Sequence, residues 1–442
     1  MLFYDSLTLI PRRAAREAIL LRSKDLYSIA GSRRSIFLSH SARTVRGVIR
    51  LVRRGPEGVA SCSGAASEGK PTYPYGRLAM SNIHTASTPT KDMKKLAELR
   101  PSASVVLLSP ENQVLLLHRV KTSSAFPSAH VFPGGNLSPF HDGNVPGSGD
   151  VEQHEDSLPY RLAAIRETFE ESGILLARED GNEGKPLDVP VAERDNARKA
   201  IYENKVRFVE WLASVGGVPD TENLIPFTRW ITPPTQNRRF TTQMYLYMLP
   251  LSAGGDPAVA AARSEAMVPT PDGGVEITAA RFDDATTWLE NQRKSEITLF
   301  PPQCYLLHLL SQFLEGLPSG SLGSPELVAH HGAKRERLRE FLSTVPTASG
   351  ERAAKHPTSQ IPWGEKVISP TSLGLRKSDK KVILGLDKPG PELKGTDKGG
   401  DMERVVLVHF AKGIAKDVEV RRREEVLAEE RQTERAAQGM KL

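Results

Sequence analysis

Cysteine is nearly absent from this chain of 442 residues: Cys62 and Cys304 are the two it has. They lie far apart in sequence, so a disulfide framework is not expected and a reducing intracellular compartment fits. Long hydrophobic runs are missing as well. No stretch approaches the roughly 18 consecutive apolar residues of a membrane-spanning helix, so no membrane span is expected. Excess charge of one sign is scarce too, with 59 basic residues against 53 acidic ones and a net charge of +6. So mild a balance gives no reason to expect specific nucleic-acid binding. His330, His331 and His409 have no partners at metal-ligand spacing and read as structural or exposed. What the chain does have is length and a hydrophobic content of 39%, enough for two average domains or one domain with long additions.

Charge is concentrated at the beginning. Residues 1–54 hold eleven arginines and one lysine against three acids, a net +9 that exceeds the charge of the whole chain. Arg12, Arg13, Arg16 and Arg22 alternate with Ile10, Ala14, Ala15, Ile19, Leu20 and Leu21 in an acid-poor, serine-containing context. That composition predicts a mitochondrial targeting peptide; the competing reading is a basic tail. The terminal Lys441-Leu442 leaves a peroxisomal address as an alternative, and a cytoplasmic location is another. Residues 55–90, rich in Gly, Ser, Ala and Pro, read as linker. The folded region is expected over 91–318, with 319–442 a loop-rich, partly disordered C-terminal extension.

Ser104–Leu108 and Val114–Arg119 are apolar runs joined by the turn residues Ser109-Pro110-Glu111-Asn112, which predicts a hairpin. Continuous apolar runs predict strands covered on both faces. Gly134-Gly135 follows, a turn whose backbone an anion or metal can approach closely. After a loop, a helix is expected from Ser157, with Pro159 in its first turn, Leu162, Ile165 and Phe169 on an apolar face, and Gly173 as its stop. On another face the helix carries Glu167, Glu170 and Glu171 within one turn. Like charges at this spacing repel and raise one another's pKa, and a hard divalent cation, Mg²⁺ or Mn²⁺, relieves both penalties. A merely solvated acidic helix is the bland alternative.

The run Arg166-Glu167-Thr168-Phe169-Glu170-Glu171-Ser172-Gly173-Ile174, set after Phe132-Pro133-Gly134-Gly135, resembles the signature of the Nudix hydrolases, GX5EX7REUXEEXGU. Thirty-one positions separate Gly135 from Arg166 where fourteen are usual, an insertion of 17 residues. Leu158 stands eight positions before Arg166, where the signature has its first glutamate, with Glu155 and Asp156 nearby. The segments Phe227–Pro234, Arg238–Tyr247 and Glu296–Gln303 are similar to those of the mitochondrial and peroxisomal coenzyme A diphosphatase branch.

The resemblance implies an α/β/α Nudix sandwich with a mixed sheet, an inserted helical segment and a C-terminal extension. It implies metal ligation by Glu167, Glu170, Glu171 and the backbone of Gly135, with Arg166 orienting the carboxylates. Glu167 or a later carboxylate, Glu276, would take a proton from the attacking water. The implied substrate is a small-molecule diphosphate: coenzyme A or an acyl derivative first, a nucleotide sugar, dinucleotide or capped RNA second. A catalytically weakened binding module is the third reading. Arg119, Arg238 and Arg239 are candidate phosphate partners, and Trp230, Phe240 and Phe132 are aromatics that stack on a base if they do not simply pack in the core.

Elsewhere the pattern predicts helices over Arg194–Val215, as an inserted cap over the pocket, and over Arg281–Asn291 and Gln303–Glu315. Val382–Gly385 is expected to pair with Arg404–Phe410, and Glu419–Ala437 to form a charged helix.

Overall fold

The computed structural model describes residues 96–439, apart from 123–126, 183–184, 252–268, 273–275, 317–323 and 412. The expected targeting peptide and linker, 1–54 and 55–90, lie outside the described residues.

The central sheet is built on β1 (Leu99–Leu108) and β2 (Val114–Arg119), which form the expected antiparallel hairpin through the register Leu108↔Val114. β3 (His130–Val131) and β4 (Gly134–Asn136) pair with β2 and β1 respectively. Successive side chains of a strand point to opposite faces. Here Val106, Leu108, Val114 and Leu116 enter one core, while Val105, Leu107, Leu115 and Leu117 enter another. All eight are buried, as continuous apolar runs require of a sheet covered on both sides.

One cover is helical and carries the acidic signature. α1 (Leu158–Ser172) packs against the sheet through Ala163, Ala164, Ile165 and Phe169. After β5 (Ala177–Glu179), the expected single helical segment is two helices, α2 (Val191–Tyr202) and α3 (Phe208–Ser214). The chain breaks at Asn204, which takes a left-handed φ of 55°. The pair packs on the apolar back of α1, where Trp211 stacks on Phe169 with ring centroids 5.2 Å apart. β6 (Gly217–Pro219) returns to β5.

β7 (Ile225–Ile231) and β8 (Arg239–Met248) extend the sheet, β8 running parallel to β1 over all ten of its residues, so the sheet is mixed. β9 (Ile277–Asp283) adds to β2. The helix expected from Arg281 therefore starts later, as α4 (Ala285–Arg293). α5 (Pro301–Leu314) supplies much of the second cover: Tyr305 packs edge-on to Trp230 of β7, 5.6 Å between rings.

The loop-rich extension expected after residue 318 is not what residues 324–439 form. α6 (Pro325–Ser343) joins the second core through Leu338 and Leu342, and β10 (Val367–Ile368) adds a parallel edge to β7. β11 (Thr371–Leu375), β12 (Val382–Leu386), β13 (Asp401–Ala411) and β14 (Ile414–Arg422) form a second, antiparallel sheet containing the expected Val382↔Val408 pairing. That sheet packs on α5, where the Cys304 thiol points at the Val418 carbonyl and the Tyr305 hydroxyl donates to Asp401 at 2.7 Å. The charged helix expected from Glu419 begins only at Arg423, as α7 (Arg423–Gly439), because Val418 and Val420 are claimed by the second core. Among the described residues, no helix is long and apolar enough to cross a membrane.

Candidate active site

α1 begins one residue after Ser157 and ends at Gly173, whose φ of 74° lets its amide reach back to the Phe169 carbonyl at 2.8 Å. This fixes which carboxylates face Gly134 and Gly135, which were expected as a turn and instead open strand β4, paired with β1. The Glu171 side chain accepts from the Gly134 amide at 2.9 Å. At Gly135 the approach is closer still: a Cβ there would lie 2.4 Å from the Glu167 carboxyl carbon, so no other residue fits without moving that side chain.

Arg166 lies at the centre of the cluster. Its Nη1 donates to Glu167 at 2.8 Å and to Glu170 at 2.9 Å, and its Nη2 also donates to the Asn136 carbonyl at 3.0 Å. Its other face grips both oxygens of Asp142, at 3.0 and 2.9 Å. Asp142 is held in turn by the Ser138 amide at 2.7 Å. Two more carboxylates stand nearby. Arg119 bridges Glu276, at 2.8 Å, and Glu171, at 3.5 Å. Asp272 accepts from the amides of Glu276 and Ile277.

The electrostatics follow from burial and from the proximity of like charges. Burial raises the Glu167 carboxyl to about 7, with Glu170 and Asp142 adding to the shift and Arg166 opposing it. Glu170 is raised for the same first reason. Glu171 is raised well above the carboxylate range by burial and by Glu167, against the Gly134 amide and Arg119. Burial works against the Arg166 cation, yet Glu167, Asp142 and Glu170 hold its pKa well above the usual value. These shifts record first the cost of burying the three carboxylates and second their mutual repulsion.

Among the described residues, no three acidic, histidine or cysteine side chains are gathered into a ready coordination shell, since the glutamates turn toward Arg166, Arg119 and Gly134. The donors nevertheless suit a hard divalent cation, being carboxylate oxygens in negative surplus beside a backbone that only glycine permits.

The candidate residues therefore divide. Arg166, Glu167, Glu170, Glu171, Gly135, Arg119 and Glu276 are brought together. Arg238 is exposed just ahead of β8. Arg239 is buried and pairs with Glu392 at 2.6 Å, so it is a structural ion pair. It sits opposite Leu99, four residues along β1 from the Ala103 that faces Gly135, or about 13 Å at strand spacing. Trp230 and Phe132 are core side chains, and Phe240 is half-buried.

Leu158 is 58% exposed on the first turn of α1 and has no part in the cluster. Asp156 is held by Arg161 and the Tyr245 hydroxyl. The residue that sequence reasoning missed is Asp142. Counted forward from Gly135, the signature's first acid falls on His141, one position before it, so the extra residues follow that acid instead of preceding it. Counting backward from Arg166 hides this.

The family model for the NUDT19 Nudix domain matches residues 147–310. An acyl-coenzyme A diphosphatase NUDT19 of Gallus gallus is 30% identical over 278 residues, covering 50% of this chain and 70% of that protein. Its Xenopus laevis namesake is 28% identical over 243 residues, covering 46% of this chain and 60% of that protein. The match thus spans 60% to 70% of these relatives' own length. Among solved structures, a Nudix hydrolase from Alicyclobacillus acidocaldarius aligns at 25% identity with a TM-score of 0.37, covering 48% of this chain and 90% of that one. With its signature helix, its paired glycines and its 30% identity to the Gallus gallus protein over 70% of that protein's length, the chain belongs to the Nudix family.

Proposed function

We propose that the chain is a divalent-metal-dependent pyrophosphohydrolase that cleaves the diphosphate of coenzyme A or an acyl-coenzyme A. The observation that carries the reading is the carboxylate cluster around Arg166, closed on one side by Gly134 and Gly135. The names of the frog and chicken relatives support coenzyme A as the substrate class.

Glu167, Glu170 and Glu171, with the backbone of Gly135, would hold Mg²⁺ or Mn²⁺. Such an ion supplies charge neutralisation at phosphate oxygens and acidifies bound water. The chain's own residues do the rest. Arg166 keeps the glutamates aligned through charge-assisted hydrogen bonds. Arg119 fixes the Glu276 carboxylate at 2.8 Å, and that carboxylate accepts the proton of the attacking water. The water oxygen bonds to one phosphorus, the bridging P–O bond breaks, and the second phosphate leaves with the bridging oxygen. A mitochondrial destination, from the basic segment 1–54, is part of the proposal.

The test is hydrolysis of a diphosphate panel by the full chain with Mn²⁺ or Mg²⁺, beside Glu170→Gln and Glu171→Gln. We expect metal-dependent release of phosphopantetheine products and loss of turnover by at least about a hundredfold in both variants. Preference for a nucleotide sugar, a dinucleotide or capped RNA would replace the substrate assignment. Absence of turnover on every substrate would leave a binding module.

A further inference from the structure

Arg198 comes from the inserted helix α2, yet its buried guanidinium reaches the C-terminal turn of α1. Nε donates to the Glu170 carbonyl at 2.6 Å, Nη1 to the Thr270 hydroxyl at 3.0 Å and Nη2 to the Thr270 carbonyl at 3.0 Å. The Thr270 amide closes the contact by donating to the Ser172 carbonyl at 2.8 Å. Free carbonyls at a helix end need donors, and a planar guanidinium meets several at once in a fixed geometry. Gly173 makes room for the joint: a Cβ on it would stand 2.7 Å from the Thr270 hydroxyl and 3.4 Å from Nη1 of Arg198.

Two residues past Thr270 the same strand approach carries Asp272, whose carboxylate binds the amides of Glu276 and Ile277. Glu276 then faces Arg119, which also reaches Glu171. A path of hydrogen bonds and short stretches of backbone thus runs from the end of the signature helix, through Arg198, Thr270 and Asp272, to Glu276 on its open side.

We propose that Arg198 is a positioning residue that locks the Thr270–Asp272 segment onto the end of α1 and so fixes Glu276 over the carboxylate cluster. This rests on the function proposed above, and it assigns the inserted helix a role in setting the geometry of that site.

Two measurements on the full chain decide it. In amide hydrogen exchange, Arg198→Met should speed exchange at Thr270 and Glu276 by about tenfold or more while Val105–Leu108 stay protected. Unchanged exchange at Thr270 and Glu276 overturns the proposal. In hydrolysis assays, Arg198→Met should lower kcat by about 10- to 100-fold with KM nearly constant. On a Glu276→Gln background the same change should cost less than about twofold, because both act through one carboxylate. Losses that multiply overturn it. If the unaltered chain hydrolyses nothing, the functional reading fails, and exchange alone still decides the positioning role.

Discussion

Arg166 and Asp142 form a two-pronged ion pair, 3.0 and 2.9 Å, with side-chain exposures of 4% and 0%. A pair so placed matters most when it is broken. Asp142→Ala removes the two-pronged partner of a buried guanidinium, and we expect a loss of about 3–5 kcal/mol in denaturant unfolding together with loss of turnover. Leu158→Ala should leave both within error, since that side chain is 58% exposed. Equal effects of the two substitutions would refute the assignment of Asp142.

The two glycines of β4 should fail differently. At Gly134, with φ of 153°, a Cβ would meet the Ala103 carbonyl oxygen at 2.3 Å, a backbone clash inside the sheet. Gly134→Ala should therefore lower the melting temperature. At Gly135 the obstacle is the mobile end of Glu167. Gly135→Ala should fold near normally while turnover falls by about tenfold or more as that carboxylate is pushed aside. A Gly135→Ala variant with full activity would show that Glu167 need not stand against that strand.

Glu167 sets a pH dependence whose sign is fixed. Its carboxyl is raised from 4.5 to about 7, so the folded chain holds this proton more tightly than the unfolded chain. The corresponding stability is complete below about pH 4.5 and is lost as the pH climbs through about 7. Melted in a chelator, the wild-type chain should lose ground to Glu167→Gln between about pH 5 and 7.5, and Mn²⁺ should reverse the difference. Parallel melting curves for the two proteins would count against uncompensated charge at this position.

The C-terminal sheet should be required for folding. α5 buries Cys304, Tyr305, Leu306, Leu307, Leu309 and Leu310, and part of that burial is against β13 and β14. Each leucine exposed by deletion forfeits about 1.5–3 kcal/mol. A fragment 96–316 should be insoluble or bind a hydrophobic dye strongly, while the full chain does neither; a soluble, cooperatively melting fragment would refute this.

Much of the site was legible because its determinants are local. Gly173 ends α1 where an αL stop predicts, and the hairpin of β1 and β2 follows from two apolar runs around Ser109–Asn112. The misses share a cause: partners distant in sequence. α6 was invisible because its buried side includes Lys334 and Arg335, whose charges are satisfied by the carbonyls of Leu314, Leu249 and Ser109. β14 carries Lys416, Asp417, Glu419 and Arg421 around Ala415 and Val418, a pattern that reads as a solvated helix until β13 is placed beside it. Arg239 looked like a phosphate ligand because Glu392 lies 153 residues away.

The arrangement of Asp142 has an evolutionary consequence. The ion pair that braces Arg166 is made just ahead of the loop, and the helix that bears Arg166 starts just behind it. Between those two points Gln153 and His154 are buried against β1 and β8, so the part of the stretch that can lengthen or shorten across generations with least effect on the site is the exposed part ahead of them. A search keyed to fixed spacing would pass over such descendants, whereas one that asks for an acid soon after the paired glycines and an REXXEE helix at any later distance would find them.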